Sequence, residues 1–427
     1  MLDETMPNSP NHSLLKARWP ELATAIAKAP LAKCEDRSKL VPSMACEGLL
    51  LRSAYAPKEE AALQASRVPE DAKKVTVYGL GMGDLPRFLL ANPLLLELKV
   101  VLLNLSVARA VLESSHQEDW LQDPRVCLQY SPEQRLPEEP FCAVPPCLQL
   151  ADPSNFALRD ALSAKLQEPF IAGKWSEREA VLRKHIKANE TLVALDTDVG
   201  ELFDTRRGEK FLVVGPGPSL SGGMERIRAL HPSSVLVAIS TSLQPLITAG
   251  LQPDFVVMID SHSINPLQDS QHEAFRNIPL VYVPDVQTDT LRAWPGPRLV
   301  GFLDRPRHAR LNTIASRGVL WTQGTVAHTA VDFAVRCGAS QVTLFGLDFG
   351  YPGGASHAEG TPDYQAAGSG DIGRTLLDGY GQRIASDPNL ISYLRDLEEY
   401  VARHPNVQFL RADKTGAAME GIEWLTD

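Results

Sequence analysis

The stretch Phe211-Leu-Val-Val-Gly-Pro-Gly-Pro-Ser-Leu220 constrains the fold of this chain more than any other. Phe211–Val214 reads as a buried strand that breaks at Gly215-Pro216-Gly217-Pro218, and a helical pattern starts at Ser219-Leu220. A strand, a tight turn and a helix in that order open a nucleotide-binding α/β unit. In such sheets ligands collect at the carboxyl ends of the strands, facing the free N–H groups of helix N-termini. The turn fits neither common fingerprint. It lacks the Gly-Lys-Ser/Thr of a P-loop, and Leu220 stands where a dinucleotide motif needs a third small residue. Two prolines also remove two N–H donors. The residues alone leave a nucleotide site and a structural turn both open.

The segment 205–427 decides the fold class. Apolar runs of strand length fall at Phe211–Val214, Val235–Ile239, Phe255–Ile259, Leu280–Val283, Leu299–Phe302, Val342–Phe345 and Val407–Leu410. Helical periodicity fills 222–230, 242–249, 325–337 and 389–403 between them. Strands alternating with helices predict a mostly parallel, doubly wound sheet. A second such unit is expected over 71–150. It opens with Val75–Tyr78, the turn Gly79-Leu-Gly81-Met-Gly83, Asp84 as a helix cap, and a strand Lys99–Leu103 ending at Asn104. Dinucleotide-binding folds keep a ribose-binding acid near that last position. Asn104 there leaves two readings, a second cofactor site or a Rossmann-like unit that has lost its ligand. The stretch 1–70 reads as a helical N-terminal segment and 151–204 as a helical connector, while the proline-rich 121–150 reads as an irregular surface segment.

A formal net charge of −10 argues against general nucleic-acid or anionic-membrane binding. No apolar run is long enough to span a bilayer and no signal segment is visible at the start, so a cytoplasmic protein is expected. Cys34, Cys46, Cys127, Cys142, Cys147 and Cys337 form no Cys-x-x-Cys pair and are expected to be reduced thiols. No histidines are spaced as zinc ligands, and no metal site is expected.

Polar residues follow several of the predicted strands, where a site should form. They are Ser240-Thr241, Asp260-Ser261-His262, Thr322-Gln323-Gly324 and Gly346-Leu347-Asp348, followed by a glycine-rich loop carrying His357. Thr322 is either a helix cap or a phosphate contact. Asp260 either contacts ligand or closes a turn, and Asp348 either takes part in the chemistry or orders the next loop. His357, on a loop rather than an apolar face, is the best acid–base candidate. His262 and His328 are weaker, His328 lying on a helix that can face the core.

The ordered set GPGPSL (215–220), AISTSLQPLITAGLQPDFVVMID (238–260), TQGTVAHTAVDFAVRCGASQVTLFGLDFGY (322–351) and SHAEGT (356–361) resembles the Maf (motility-associated factor) family. KTGAAMEGI (414–422) resembles the close of that family's central domain, also called 6-hydroxymethylpterin diphosphokinase-like. The likeness covers 205–427 and extends more weakly over 60–200. It implies two Rossmann-like units, the C-terminal one sialyltransferase-like. It also implies transfer of a nonulosonic acid from a CMP-activated sugar to Ser/Thr of flagellin, with no permanently bound cofactor and no metal. In that reading Gly215, Gly217, Pro218, Ser219, Ser240, Thr241, Asp260, Ser261, Thr322, Gln323, Gly324 and Gly346 line the donor pocket. Gly217, Ser219, Thr322 and Gly324 donate to the phosphate, and Asp348 and His357 carry the chemistry. Pro216 stands where the similar sialyltransferases place an Asn on the nucleotide, and Gln323 where they place a Ser. A diphosphokinase acting on ATP and a non-catalytic flagellin- or sugar-binding protein are the rival readings.

Overall fold

The computed structural model describes residues 11–259, 275–361 and 374–426. The chain divides into two compact units, Met1–Gln167 and Glu168–Asp427. Residues 151–167 of the expected connector thus fall in the first unit and the rest in the second.

In the first unit the helices His12–Arg18 and Pro20–Lys28 lead into three short antiparallel strands, β1 (Cys34–Asp36), β2 (Met44–Cys46) and β3 (Leu49–Leu50). This corrects the expectation that 1–70 is helical throughout. It also corrects the expectation of six reduced thiols. Register pairs Cys34 with Cys46 across β1 and β2, Cα atoms 4.1 Å apart, and a disulfide joins them. A parallel sheet follows, built from β4 (Lys74–Tyr78), β5 (Glu97–Val101), β6 (Val126–Gln129) and β7 (Phe141–Ala143) in the order β6-β5-β4-β7, so the stretch expected to be irregular supplies two of its strands, formed by pairing with β5 and β4. The cap expected at Asp84 also differs. Gly83, at φ +83°, is the N-cap of the helix Asp84–Leu90, and Asp84 instead pairs with Arg52 at 2.8 Å. Asn104 is a helix cap: its side chain accepts from Val107 N–H and donates to the Leu150 carbonyl.

In the second unit β8 (Thr197–Asp198) precedes β9 (Lys210–Val214), β10 (Val235–Ile239), β11 (Phe255–Met258), β12 (Leu280–Tyr282) and β13 (Arg298–Val300). A parallel pair comes next, β14 (Phe302–Leu303) and β15 (Val319–Leu320), then β16 (Gln341–Phe345). The hairpin β17 (Arg374–Leu377) and β18 (Arg383–Ser386) leads to β19 (Gln408–Arg411) and β20 (Glu423–Trp424). Nine of these strands form one parallel sheet in the order β20-β19-β16-β9-β10-β11-β12-β13-β8. The central runs are continuous β-branched and aliphatic residues because both faces are covered; Val213, Leu236, Val256 and Val281 are fully buried. No helix among the described residues is long and apolar enough to cross a membrane.

The strand order places the site. From β9 the chain steps one way through β10 to β13, then returns to β16 on the other flank of β9. The sheet's topological switch point therefore lies between the carboxyl ends of β9 and β16, where open α/β sheets hold their ligands.

Candidate active site at the switch point of the second sheet

Residues following β9 and β16 interlock here. Gly215 N–H donates to the Phe345 carbonyl at 2.8 Å, and Gly217 N–H to the Gly346 carbonyl at 2.7 Å. Ser219 donates twice to Asp348, from N–H to Oδ2 at 2.8 Å and from Oγ to Oδ1 at 2.5 Å. Close approach makes the glycines necessary. A Cβ on Gly346, at φ +59°, would sit 2.3 Å from the Gly215 carbonyl oxygen, and one on Gly217 would sit 2.6 Å from Asp348 Oδ2. Phe349, next along, holds φ +47° although it is not glycine, a strained backbone of the kind that clusters at functional sites.

These bonds alter the expected donor roles. The N–H groups of Gly217 and Ser219 and the Ser219 hydroxyl are spent inside the protein, on the strand end across the switch point. Thr322 Oγ1 donates to the Thr325 carbonyl at 3.0 Å and accepts from Gly324 N–H at 3.2 Å, so these donors also point inward. The cap of the helix Val326–Cys337 is Thr325, not Thr322. The turn and the strand end thus use these groups to hold each other, and the Thr322 loop uses its own to hold its shape. The helix Leu220–Leu230 begins at the turn with no side-chain cap, and its Ser221 and Gly222 are exposed. Ser240 and Thr241, each 7% exposed at the end of β10, form no side-chain hydrogen bond among the described residues. The neighbouring Ser242 spends its hydroxyl on the Val214 and Ile239 carbonyls at 2.8 Å each.

Asp348 is 3% exposed, and burial pushes its carboxyl up; Arg411 and the two Ser219 bonds pull it back. With Ser219 on both oxygens it holds the turn, which is the loop-ordering reading of this residue. His357 is placed differently. It is half-buried, its Nδ1 lies 3.2 Å from Ser356 Oγ, and the next residue is tied to the turn, Ala358 N–H donating to the Pro216 carbonyl at 2.7 Å. That bond seats the histidine loop beside Gly215–Pro218. It also gives Pro216 a role its missing N–H does not affect. Pro218 stays half-buried in the same turn. Asp260 and Ser261, with His262, lie outside the described residues.

The Thr322-Gln323-Gly324 loop follows β15, and among the described residues no hydrogen bond joins it to the turn. The helix Pro388–Ala402 links the two regions. Its cap Asp387 accepts from Tyr351 OH at 2.6 Å, and a Cβ on Gly324 would meet the Tyr393 ring at 3.0 Å. His328 lies beneath this loop with no exposure, accepting from Gln323 N–H on Nδ1 at 3.2 Å and donating from Nε2 to the Tyr393 carbonyl at 2.8 Å. Burial drives its pKa down to about 4, so it is a neutral core histidine. Sequence reading missed Arg305, whose Nη2 donates to the Thr322 carbonyl at 3.1 Å and to Gln323 Oε1 at 3.3 Å. It also missed Arg411, although a polar residue one place beyond an expected strand was the signal used at the other strands.

Residues 184–354 match the family model described as 6-hydroxymethylpterin diphosphokinase MptE-like. That is the domain type the sequence resemblance pointed to, and the match contains β9, the turn, β16 and the residues through Asp348. No curated protein matches the chain. Among solved structures, a Maf glycosyltransferase from Magnetospirillum magneticum AMB-1 aligns over 97% of this chain and 74% of its own at 15% identity, with a TM-score of 0.47.

Proposed function

We propose that the protein is a glycosyltransferase that moves a nonulosonic acid from a CMP-activated donor to serine or threonine of flagellin. The bond from Ala358 N–H to the Pro216 carbonyl carries this reading, because it seats His357 against the turn at the switch point. The sequence resemblance supplies the substrate class. In this reading the donor phosphate faces the uncapped start of the helix Leu220–Leu230, with Ser240 and Thr241 as hydroxyl donors. His357 takes the proton of the acceptor hydroxyl as its oxygen bonds to the sugar's anomeric carbon. The bond from that carbon to the phosphate oxygen breaks, and CMP leaves with the electron pair. A phosphate monoester is already a good leaving group, so the reading calls for no metal. The reaction belongs in the cytoplasm, where CMP-sugars meet unassembled flagellin.

The test is intact mass of flagellin incubated with CMP-pseudaminic or CMP-legionaminic acid and purified protein. One sugar mass per modified site is expected, and none with His357→Ala, which should still bind CMP. Unmodified flagellin with every such donor sinks the reading. The family model's own description favours a second reading, diphosphate transfer from ATP to a pterin. Thermal shift separates the two: stabilisation by CMP supports the first, and by ATP with Mg²⁺ alone the second.

A further inference from the structure

We infer that Arg411 is a positioning residue of this site, setting the shape of the Gly215–Leu220 turn through Asp348. Arg411 ends β19, in register with Leu344 of β16, and is 3% exposed. Its Nη2 lies 3.5 Å from Asp348 Oδ1, the oxygen that also takes the Ser219 hydroxyl. Its Nη1 donates to the Ala417 carbonyl, and Ala417 N–H returns to the Asp348 main-chain carbonyl at 2.9 Å. The segment between closes over the pair. A Cβ on Gly416 would stand 2.4 Å from Arg411 Nη2 and 2.5 Å from Asp348 Oδ1, so only glycine lets the backbone pass there. The chain from Arg411 to Ala417 thus reaches the turn by one continuous route: guanidinium, carboxylate, Ser219, helix start.

Ser219 gives this route its importance. The Asp348 carboxylate accepts from both donors of Ser219, which only the ionised form does fully; a protonated acid spends one oxygen as a donor. A carboxylate buried this deeply without a cation shifts to the neutral form. The charged groups facing it are Arg411 and, less favourably, Asp413. Removing the guanidinium therefore releases Ser219, and with it the start of the helix Leu220–Leu230. The inference rests on the proposed nucleotide role only for its ligand readout.

The test compares wild type, Arg411→Lys and Arg411→Met from pH 5 to 8. Hydrogen exchange of the 215–220 segment is read by mass spectrometry, and CMP affinity by calorimetry. In Arg411→Met the segment should exchange at least about tenfold faster and CMP affinity fall by a similar factor, both deficits growing toward pH 5, with partial rescue in Arg411→Lys. A merely structural role would give deficits that do not change with pH. A pH-independent deficit, or wild-type exchange in Arg411→Met, overturns the inference. If Arg411→Met does not fold, Arg411→Lys carries the same comparison, with a smaller deficit of the same pH dependence expected and wild-type behaviour overturning it. Should wild type fail to bind CMP, the nucleotide reading falls and the exchange arm still decides the role of Arg411.

Discussion

His328 gives the sharpest test of the physical reading, because its environment predicts a pH dependence with known sign and size. Its ring has no exposure, packs with centroids 4.6 Å from those of Trp321, and uses both nitrogens in hydrogen bonds that require the neutral form. Burial lowers its pKa from 6.5 to about 4. The unfolded chain therefore binds the proton before the folded one. The stability this residue protects is intact above about pH 6.5, is lost as pH falls toward 4, and changes no further below that. The full loss is about 3 kcal/mol, and about 2 kcal/mol of it falls between pH 7 and 5. Carboxylates with raised pKa values, the buried Asp348 and the half-buried Asp396, titrate in the opposite sense, so the wild-type curve alone does not isolate the effect. His328→Gln does, since an amide can accept from Gln323 and donate to Tyr393 without titrating. Urea unfolding of both proteins at several pH values is the assay. Wild type should lose about 2 kcal/mol more than His328→Gln on going from pH 7 to 5. Parallel curves would refute the assignment of a neutral, desolvated histidine.

Single contacts give three more expected outcomes. Gly346→Ala forces a Cβ to 2.3 Å from the Gly215 carbonyl at a positive φ, and should cost more than about 2 kcal/mol and weaken CMP binding, read by thermal melting with and without ligand. Gly83→Ala, whose Cβ would stand 2.2 Å from Gln117 Oε1, should destabilise the first unit by a similar amount and leave CMP affinity unchanged; a loss of affinity would contradict the site's placement. Thiol titration of denatured protein without reductant should count four free cysteines, the Cys34–Cys46 pair being oxidised; a count of six refutes the disulfide.

Much of the second sheet was legible because its central strands are continuous apolar runs, whose ends the sequence marks with glycine, proline or polar residues. β9, β10, β11 and β16 fall within a residue or so of the expected spans. The elements that escaped were short or paired only through tertiary contact. Thr197–Asp198 joins the sheet edge beside β13 with two residues, and β1 to β3 rest on pairing and a disulfide rather than on alternation. That Gly217, Ser219 and Asp348 lie close together was legible in their places just after strands. Their roles were not, because whether Gly217 N–H faces a ligand or the Gly346 carbonyl depends on how β16 registers against β9, over a separation that local sequence does not encode.

The two sheets show how much the local motif leaves undecided. Each parallel sheet contains a strand, glycine turn and helix in succession, at β4 and at β9, and in both the strand order reverses beside that strand, between β4 and β7 or between β9 and β16. In the first unit the residues after β7 fill the crevice. A Cβ on Gly79 would lie 2.4 Å from Cys147 Cβ, one on Gly81 would lie 3.2 Å from Val144, and every residue from Gly79 to Gly83 is buried. Asn104, where a ribose-binding acid is usual, has both ends of its amide bound to the protein. In the second unit the residues after β16 bond the turn at Gly217, Ser219 and Pro216 without burying it. Pro216 to Ser219 stay half-exposed, and the helix beyond starts uncapped with Ser221 and Gly222 exposed. The glycines serve opposite ends in the two places: in the first they admit the protein's own side chains, and in the second they let Asp348 and Gly346 approach a turn that stays half-exposed. The residues at the end of the strand across the switch point, β7 in one unit and β16 in the other, decide whether the glycine turn is buried or keeps an exposed face; the glycine turn itself does not.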